Sequence, residues 1–253
     1  MYIGIETGIS MKKILCALYE IFIFLPLFVL ATIITATTVI IGGLIGNSKF
    51  WGYYPPRYWS KFACRLALCR IKVVRKGTLD PNQSYVFVPN HQSYSDIFLI
   101  YGYLNHNIKW VQKHELRKIP FVGKACEIAG HIYVNHSSYR SMRETIAKAK
   151  SQLSNGASIV MFPEGARTMT GKMDKFRRGA FIIAQEMGLP VVPVTENGAF
   201  DVMRRGSLLL VPGKLELIIH DPIPTENITE DEIPELMDKC REIIHSSLWD
   251  KYK

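Results

Sequence analysis

Hydrophobic positions are unevenly spread along this 253-residue chain. Residues 21–46 form a run of 26 without a charge, interrupted by Pro26 and softened by threonines at 32, 35, 37 and 38. At about 1.5 Å per helical residue, such a run can cross roughly 30 Å of hydrocarbon. It exceeds the apolar segment of a cleaved leader and has no small-residue cleavage site followed by polar residues. It is therefore expected to be an uncleaved membrane anchor: a single helix, or a helical hairpin if Pro26 and the glycines at 42, 43 and 46 break it.

Beyond the run, short β-branched and aromatic stretches alternate with longer segments of helical period, the pattern of an α/β domain with a mostly parallel or mixed central sheet flanked by helices. Strands are expected at 71–75, 85–88, 108–112, 131–135, 158–162, 191–195 and 215–220. Ser141 and Glu144 have the spacing of a capping box and head a helix to about Leu153. A second helix, 179–187, is stopped by Gly188 and Pro190. A third starts after Thr229 and carries Leu236, Met237, Cys240, Ile243 and Ile244 at helical spacing to about Leu248. With no repeat or long linker, the expected organisation is an anchor at 1–50, a basic aromatic segment at 51–69 and one catalytic-type domain at 70–253.

Composition agrees: 48% hydrophobic residues and a mean hydropathy of +0.07 are high for a soluble domain and low for a polytopic membrane protein. Charge adds orientation. Of a formal net charge of +9, residues 47–79 contribute eight basic side chains and no acidic one, so the remainder is nearly neutral. These cations are interleaved with Trp51, Tyr53, Tyr54, Tyr58, Trp59 and Phe62, directly after the apolar run. That arrangement suits an interface with anionic headgroups and puts the following domain on the cytoplasmic face of the inner membrane. No recognition motif favours nucleic acid as a partner. The cysteines at 16, 64, 69, 126 and 240 are odd in number and unclustered, which reads as reduced structural thiols.

Two polar constellations follow apolar strands. Asn90-His91-Gln92-Ser93-Tyr94-Ser95-Asp96 comes after residues 85–88, at the strand-to-helix turn where α/β folds expose reactive side chains. His91 can take a proton from an alcohol near neutral pH, and Asp96 can hold its other ring nitrogen. Alone, this pair would better fit a turn with a helix cap. Phe162-Pro163-Glu164-Gly165-Ala166-Arg167 follows residues 158–162 and forms a stiff bend. Its Arg167 offers a planar fork for phosphate oxygens, and Glu164 could orient that arginine or receive a hydroxyl. The basic run Lys172, Lys175, Arg177, Arg178 leads into the helix that begins at Gly179, a setting that suits an anion.

In this order the residues resemble the 1-acylglycerol-3-phosphate acyltransferase family of glycerolipid acyltransferases. The resemblance rests on Asn-His-Gln-Ser-x-x-Asp at 90–96, Phe-Pro-Glu-Gly-x-Arg at 162–167, Phe-x-x-Gly-Ala at 176–180 and Val-Pro-Val-Thr at 192–195. Lys113, Pro120, Gly123 and Gly130-x-Ile-x-Val134 also follow the family pattern. The chain departs at Asn135-His136, where the family often has Asp-Arg, and at Ala166, where Thr or Ser is common.

The resemblance implies direct acyl transfer from acyl-ACP or acyl-CoA to a lysophospholipid hydroxyl, without a covalent acyl-enzyme, metal or resident cofactor. His91 would be the general base and Asp96 its orienting partner. Arg167, with Glu164 and Gly165, would position an acceptor phosphate, assisted by Lys113. The expected product is phosphatidic acid, with other lysophospholipids or lyso-aminolipids as alternative acceptors.

Competing readings fit less well. A serine hydrolase using Ser93 or Ser95 lacks a G-x-S-x-G elbow. The spacing of Gly165, Gly171 and Lys172 is wrong for a nucleotide loop, and Met173 stands where Ser or Thr should be. His114-Glu115 has no second zinc-binding histidine four positions on. A non-catalytic lipid-binding protein would have no need for His91, Asp96, Glu164 and Arg167 together.

Overall fold

Three parallel strands end side by side at one edge of the sheet, and the sequence's two polar constellations start from them. The computed structural model describes residues 11–134, 157–207 and 209–253, with Ala147 and Leu153. Its strands are β1 (Arg70–Arg75), β2 (Val86–Pro89), β3 (Ile108–Lys113), β4 (Ile132–Val134), β5 (Ser158–Val160), β6 (Val191–Asn197) and β7 (Lys214–Ile219), one for each expected position. They form one seven-stranded sheet in the order β1-β7-β6-β2-β5-β3-β4. All pairings are parallel except β6 with β7. The sheet is therefore mixed, with the antiparallel pair off-centre.

Strands β2, β5 and β6 are buried throughout, as expected where helices cover both faces. Alternation sorts their side chains. Phe87, Val192 and Leu217 pack on one face with Leu99 and Ile100 of helix α5 (Ser95–Tyr103). Val86, Val88 and Ile159 pack on the other with Phe181 and Ile183 of α7 (Gly179–Met187) and Leu236 and Cys240 of α9 (Ile233–Ser247). Helix α7 ends on Gly188 at φ +60, a conformation costly for other residues. Before α9, Thr229 and Glu232 complete a capping box around the short turn Glu230–Glu232.

Two strands differ in length from expectation. β5 stops at Val160, although Met161 still donates its N–H to Phe87 at 3.1 Å, because Pro163 has no N–H to continue the ladder. β6 runs two residues further, to Asn197, because β7 pairs with its far end. Of the expected helix at 141–153 only Ala147, which is helical, and Leu153, which is not, are described, and the Asn135-His136 departure lies outside the described residues.

The apolar run lies in a continuous helical segment, Met11–Ile45. It comprises α1 (Met11–Tyr19), one π-helical turn (Glu20–Phe24) and α2 (Leu25–Ile45). Pro26 directly follows the π-helical turn and does not end the segment, which runs on as helix to Ile45. Gly42 and Gly43 do not break it either: a Cβ at either would collide with Trp51 or Ile128, so they permit close packing.

After Gly46 the chain turns through α3 (Ser48–Trp51), capped by Asn47, and returns as α4 (Tyr54–Leu66). Helix α4 holds α2 through a Trp59 Nε1 bond to Thr32 Oγ1 at 3.0 Å and the tilted contact of the Phe28 and Trp59 rings. The helical segment is also tied to the domain where Leu210 N–H donates to Glu20 Oε2 at 2.9 Å. Most of its outer side chains remain uncovered: Phe22, Leu44 and Ile45 are 72%, 73% and 81% exposed. So large an apolar face calls for hydrocarbon around it.

Candidate active site

His91 follows directly on the end of β2. Asn90 before it is clamped to the neighbouring strand, accepting from Glu196 N–H at 2.7 Å and donating to Glu196 C=O at 3.0 Å. Helix α5 then begins at Ser95 and places Asp96 in its first turn, where a carboxylate is favoured by the helix dipole. Asp96 is fully buried, and its Oδ2 accepts from His91 Nδ1 at 2.8 Å and from the N–H groups of Gln92 at 2.6 Å and Ser93 at 2.8 Å. Three donors on one oxygen fix the carboxylate. The carboxylate in turn fixes the imidazole, leaving Nε2 as the ring nitrogen free to work.

The second constellation closes on the first. The Phe162 ring stacks on His91 with 3.7 Å between centroids. Pro163 and Gly165, the latter at φ +75, turn the chain back. A Cβ at Gly165 would meet the Arg177 guanidinium at 2.9 Å, so the glycine lets that side chain approach. Glu164 is buried: one oxygen accepts from His91 N–H at 2.6 Å and the other from Asp174 N–H at 2.8 Å. Burial pushes its carboxyl up to about 7, against the pull of those two amides and helped by the charges of Asp96 and Asp174. Thr168 N–H completes the joint by donating to His91 C=O at 2.9 Å.

His91 lines a largely apolar cavity of about 710 Å³ between the domain and α2. Thr35 and Val39 of α2, Phe98 of α5, Trp110 of β3 and Ala129 after helix α6 (Val122–Ile128) form part of its wall. The lining also includes the cations Lys113, Arg167, Arg177 and Arg205. The Arg167 guanidinium lies over the Tyr94 ring, 3.5 Å from its centroid, and its carbonyl accepts from Arg205 at 2.7 Å. An imidazole with one nitrogen free therefore shares one cavity with apolar walls and positively charged side chains. Such a site can bring an alcohol and an acyl group together while holding an anionic headgroup.

Of the residues singled out in the sequence, His91, Gly165, Arg167 and Lys113 line this cavity, and Asp96 orients His91 from behind. Glu164 turns instead to backbone amides, joining the two loops. Ser93 and Ser95 are committed elsewhere, Ser93 to Met203 C=O at 2.7 Å and Ser95 to Ser93 at 2.8 Å, so neither hydroxyl bonds His91. Arg205, Tyr94 and Phe162 were missed as site residues. Arg205 lies in a loop whose spacing carries no signal, whereas Tyr94 and Phe162 sit inside the motifs and could have been read from them.

An α/β sheet with a histidine–aspartate pair at its strand ends beside a largely apolar cavity is the architecture of an acyltransferase domain. The chain belongs to the acyltransferase family, whose domain matches residues 70–196. It is 31% identical over 175 residues to a 1-acyl-sn-glycerol-3-phosphate acyltransferase of Chlamydomonas reinhardtii, covering 69% of this chain and 51% of that protein. It is likewise 31% identical over 180 residues to the human 1-acyl-sn-glycerol-3-phosphate acyltransferase alpha, covering 71% of this chain and 62% of the relative. The chain thus spans about half to three fifths of the length of these curated relatives. The crystal structure of the 1-acyl-sn-glycerophosphate acyltransferase PlsC from Thermotoga maritima superposes with a TM-score of 0.77 at 25% identity, over 94% of this chain and 98% of that one.

Proposed function

We propose that this protein transfers a fatty acyl chain from an acyl thioester, acyl-CoA or acyl-ACP, to the sn-2 hydroxyl of 1-acyl-sn-glycerol-3-phosphate, forming phosphatidic acid. It acts at the cytoplasmic face of the membrane that receives its apolar helix. The observation that carries this reading is that His91, with Nδ1 held by Asp96, lines the same largely apolar cavity as the cations Lys113, Arg167, Arg177 and Arg205. The names of the relatives support the same acceptor.

His91 Nε2 removes the hydroxyl proton as the oxygen attacks the thioester carbonyl. The carbon–sulfur bond then breaks, and the departing thiolate takes that proton back from the imidazolium. Buried Asp96 balances the ring's transient positive charge. The acyl chain lies against α2 in the apolar part of the cavity, and the acceptor phosphate meets the arginines. The basic aromatic segment on α4 faces anionic headgroups beside the anchor.

The test is an assay of purified protein in mixed micelles against a panel of lyso-acceptors, with each donor in turn and the His91→Ala variant as control. The expected result is preferred turnover of 1-acyl-sn-glycerol-3-phosphate, lost in the variant. Preference for a zwitterionic lysophospholipid, or turnover retained without His91, overturns the acceptor or the mechanism respectively.

A further inference from the structure

Behind the His91–Asp96 pair lies a second acidic side chain that the mechanism leaves unused. Glu196, near the end of β6, is fully buried. Its carboxyl lies near enough to that of Asp96 for the two charges to act on each other. Asp96 Oδ1 and both carboxyl oxygens of Glu196 are sealed from solvent and have no hydrogen-bond partner among the described residues. Two neighbouring carboxyl groups buried in this way do not both stay ionised, so one of the pair carries a proton and can donate it to the other. Asp96 Oδ2 already accepts from His91 and two backbone N–H groups, all of which favour its anion. Glu196 has no such donors, which leaves it as the member that holds the proton.

Resting on the reading of His91 as the base for acyl transfer, we propose that Glu196 is a neutral carboxylic acid that donates to Asp96 Oδ1 and acts as a positioning residue for the His91–Asp96 pair. The titratable groups facing this proton are Asp96 from α5 and the Cys64 thiol from α4, with His91 and Glu164 on the far side of Asp96. Burial first, and then the Asp96 charge, push the Glu196 carboxyl well above the ordinary carboxylate range. Burial also pushes the Cys64 thiol up to about 12, so the thiol adds no negative charge near neutrality.

The backbone holds the acid in register. Asn90, the residue before His91, bonds both the N–H and the C=O of Glu196. One strand end thus grips the His91 turn from its backbone and, through the Glu196 side chain, from behind its carboxylate. Without the Glu196 proton, Asp96 Oδ1 would be a buried anionic oxygen without a donor, free to turn and draw Oδ2 away from the ring. The motif Val192-Pro193-Val194-Thr195 therefore extends in function by one residue in this chain.

Two measurements test this. Infrared difference spectra of the full-length protein, wild type against Glu196→Gln, are taken without substrate at about pH 9, where Glu164 is ionised. They should show loss of a protonated carboxylic acid carbonyl band; a difference confined to carboxylate bands overturns the proposal. Kinetics then use whichever lyso-acceptor the wild type turns over. Glu196→Gln, which keeps a donor, should retain kcat within about threefold, whereas Glu196→Leu should lose about ten- to a hundredfold in kcat with both KM values unchanged. A leucine variant that unfolds at the wild-type temperature and keeps wild-type kcat overturns the positioning role. If that variant does not fold, the infrared difference alone decides. Failure of the acceptor assignment would leave the spectrum unaffected, so the two proposals fail separately.

Discussion

The imidazole of His91 and the ring of Phe162 lie face to face, 14° from parallel. Trp110 continues the stack behind Phe162, with 5.8 Å between those centroids. An aromatic face is attracted to a cation, so under the proposed mechanism this contact strengthens as His91 gains its proton. Such contacts contribute about 0.5–2 kcal/mol. Phe162→Leu, which keeps the bulk but removes the face, should lower kcat roughly two- to thirtyfold with little change in KM. Steady-state kinetics at saturating donor and acceptor check this, and an unchanged kcat would reduce the ring to packing.

Arg167 is held over Tyr94, and both line the cavity. Arg167→Ala should raise the acceptor KM by about tenfold or more, the size of a lost charge-assisted hydrogen bond, while the donor KM moves little. Titrating each substrate separately checks this. Equal rises in both constants would mean that the arginine does not discriminate acceptor from donor.

The cavity wall contributed by α2 should limit how much acyl chain can be accommodated. Thr35 lines it and is half-buried. Thr35→Phe should shift preference towards shorter chains, with kcat/KM falling about fourfold for each methylene that no longer fits, at about 0.8 kcal/mol apiece. Competition between thioesters of graded length is the measurement. An unaltered profile would place the chain elsewhere.

Stability should carry a signature of His220. Its Nε2 lies 2.9 Å from Thr195 Oγ1. Burial, reinforced by the Lys76 charge and opposed by Asp221, lowers its pKa to about 4. Its unfolded value is about 6.5, so between about pH 6.5 and 4 the unfolded chain binds the extra proton. The contribution is complete above 6.5 and lost as pH falls through 4. The Tm of the wild type should fall across this window by an increment missing from His220→Gln. Parallel Tm–pH curves would remove His220 as the source.

A chain lacking residues 1–46 should stay on anionic vesicles at low salt and leave them at high salt, because the eight cations of residues 47–79 remain. The cavity also loses the wall supplied by α2. The shortened chain should therefore lose activity even while bound. Vesicle flotation and the acyl-transfer assay, run together, separate the two effects.

Legibility in the sequence followed the physical range of each signal. Strand positions, the helix at 179–187 with its glycine stop, and the long apolar helix all arise from local periodicity and turn chemistry. The Thr229 box before α9 is equally local, because its partners are three residues apart. The His91–Asp96 contact could be read because five residues of turn and helix start span it. By contrast, the Glu164 bonds to His91 N–H and Asp174 N–H join segments up to 73 residues apart. Residue type suggested a substrate contact for Glu164, but its two amide partners became visible only in the folded chain.

The sequence by itself determined the α/β class, the long apolar helix, the basic segment after it and the pairing of His91 with Asp96, because each is written in neighbouring residues. Only the tertiary structure decided that the apolar run is one helix folded against α4 and forming part of the cavity wall. It alone brought Arg205 beside Arg167 and set Glu196 behind Asp96, 100 residues apart in the chain. Parallel strands bring distant segments to a common edge, and that juxtaposition depends on strand order, which no local pattern encodes.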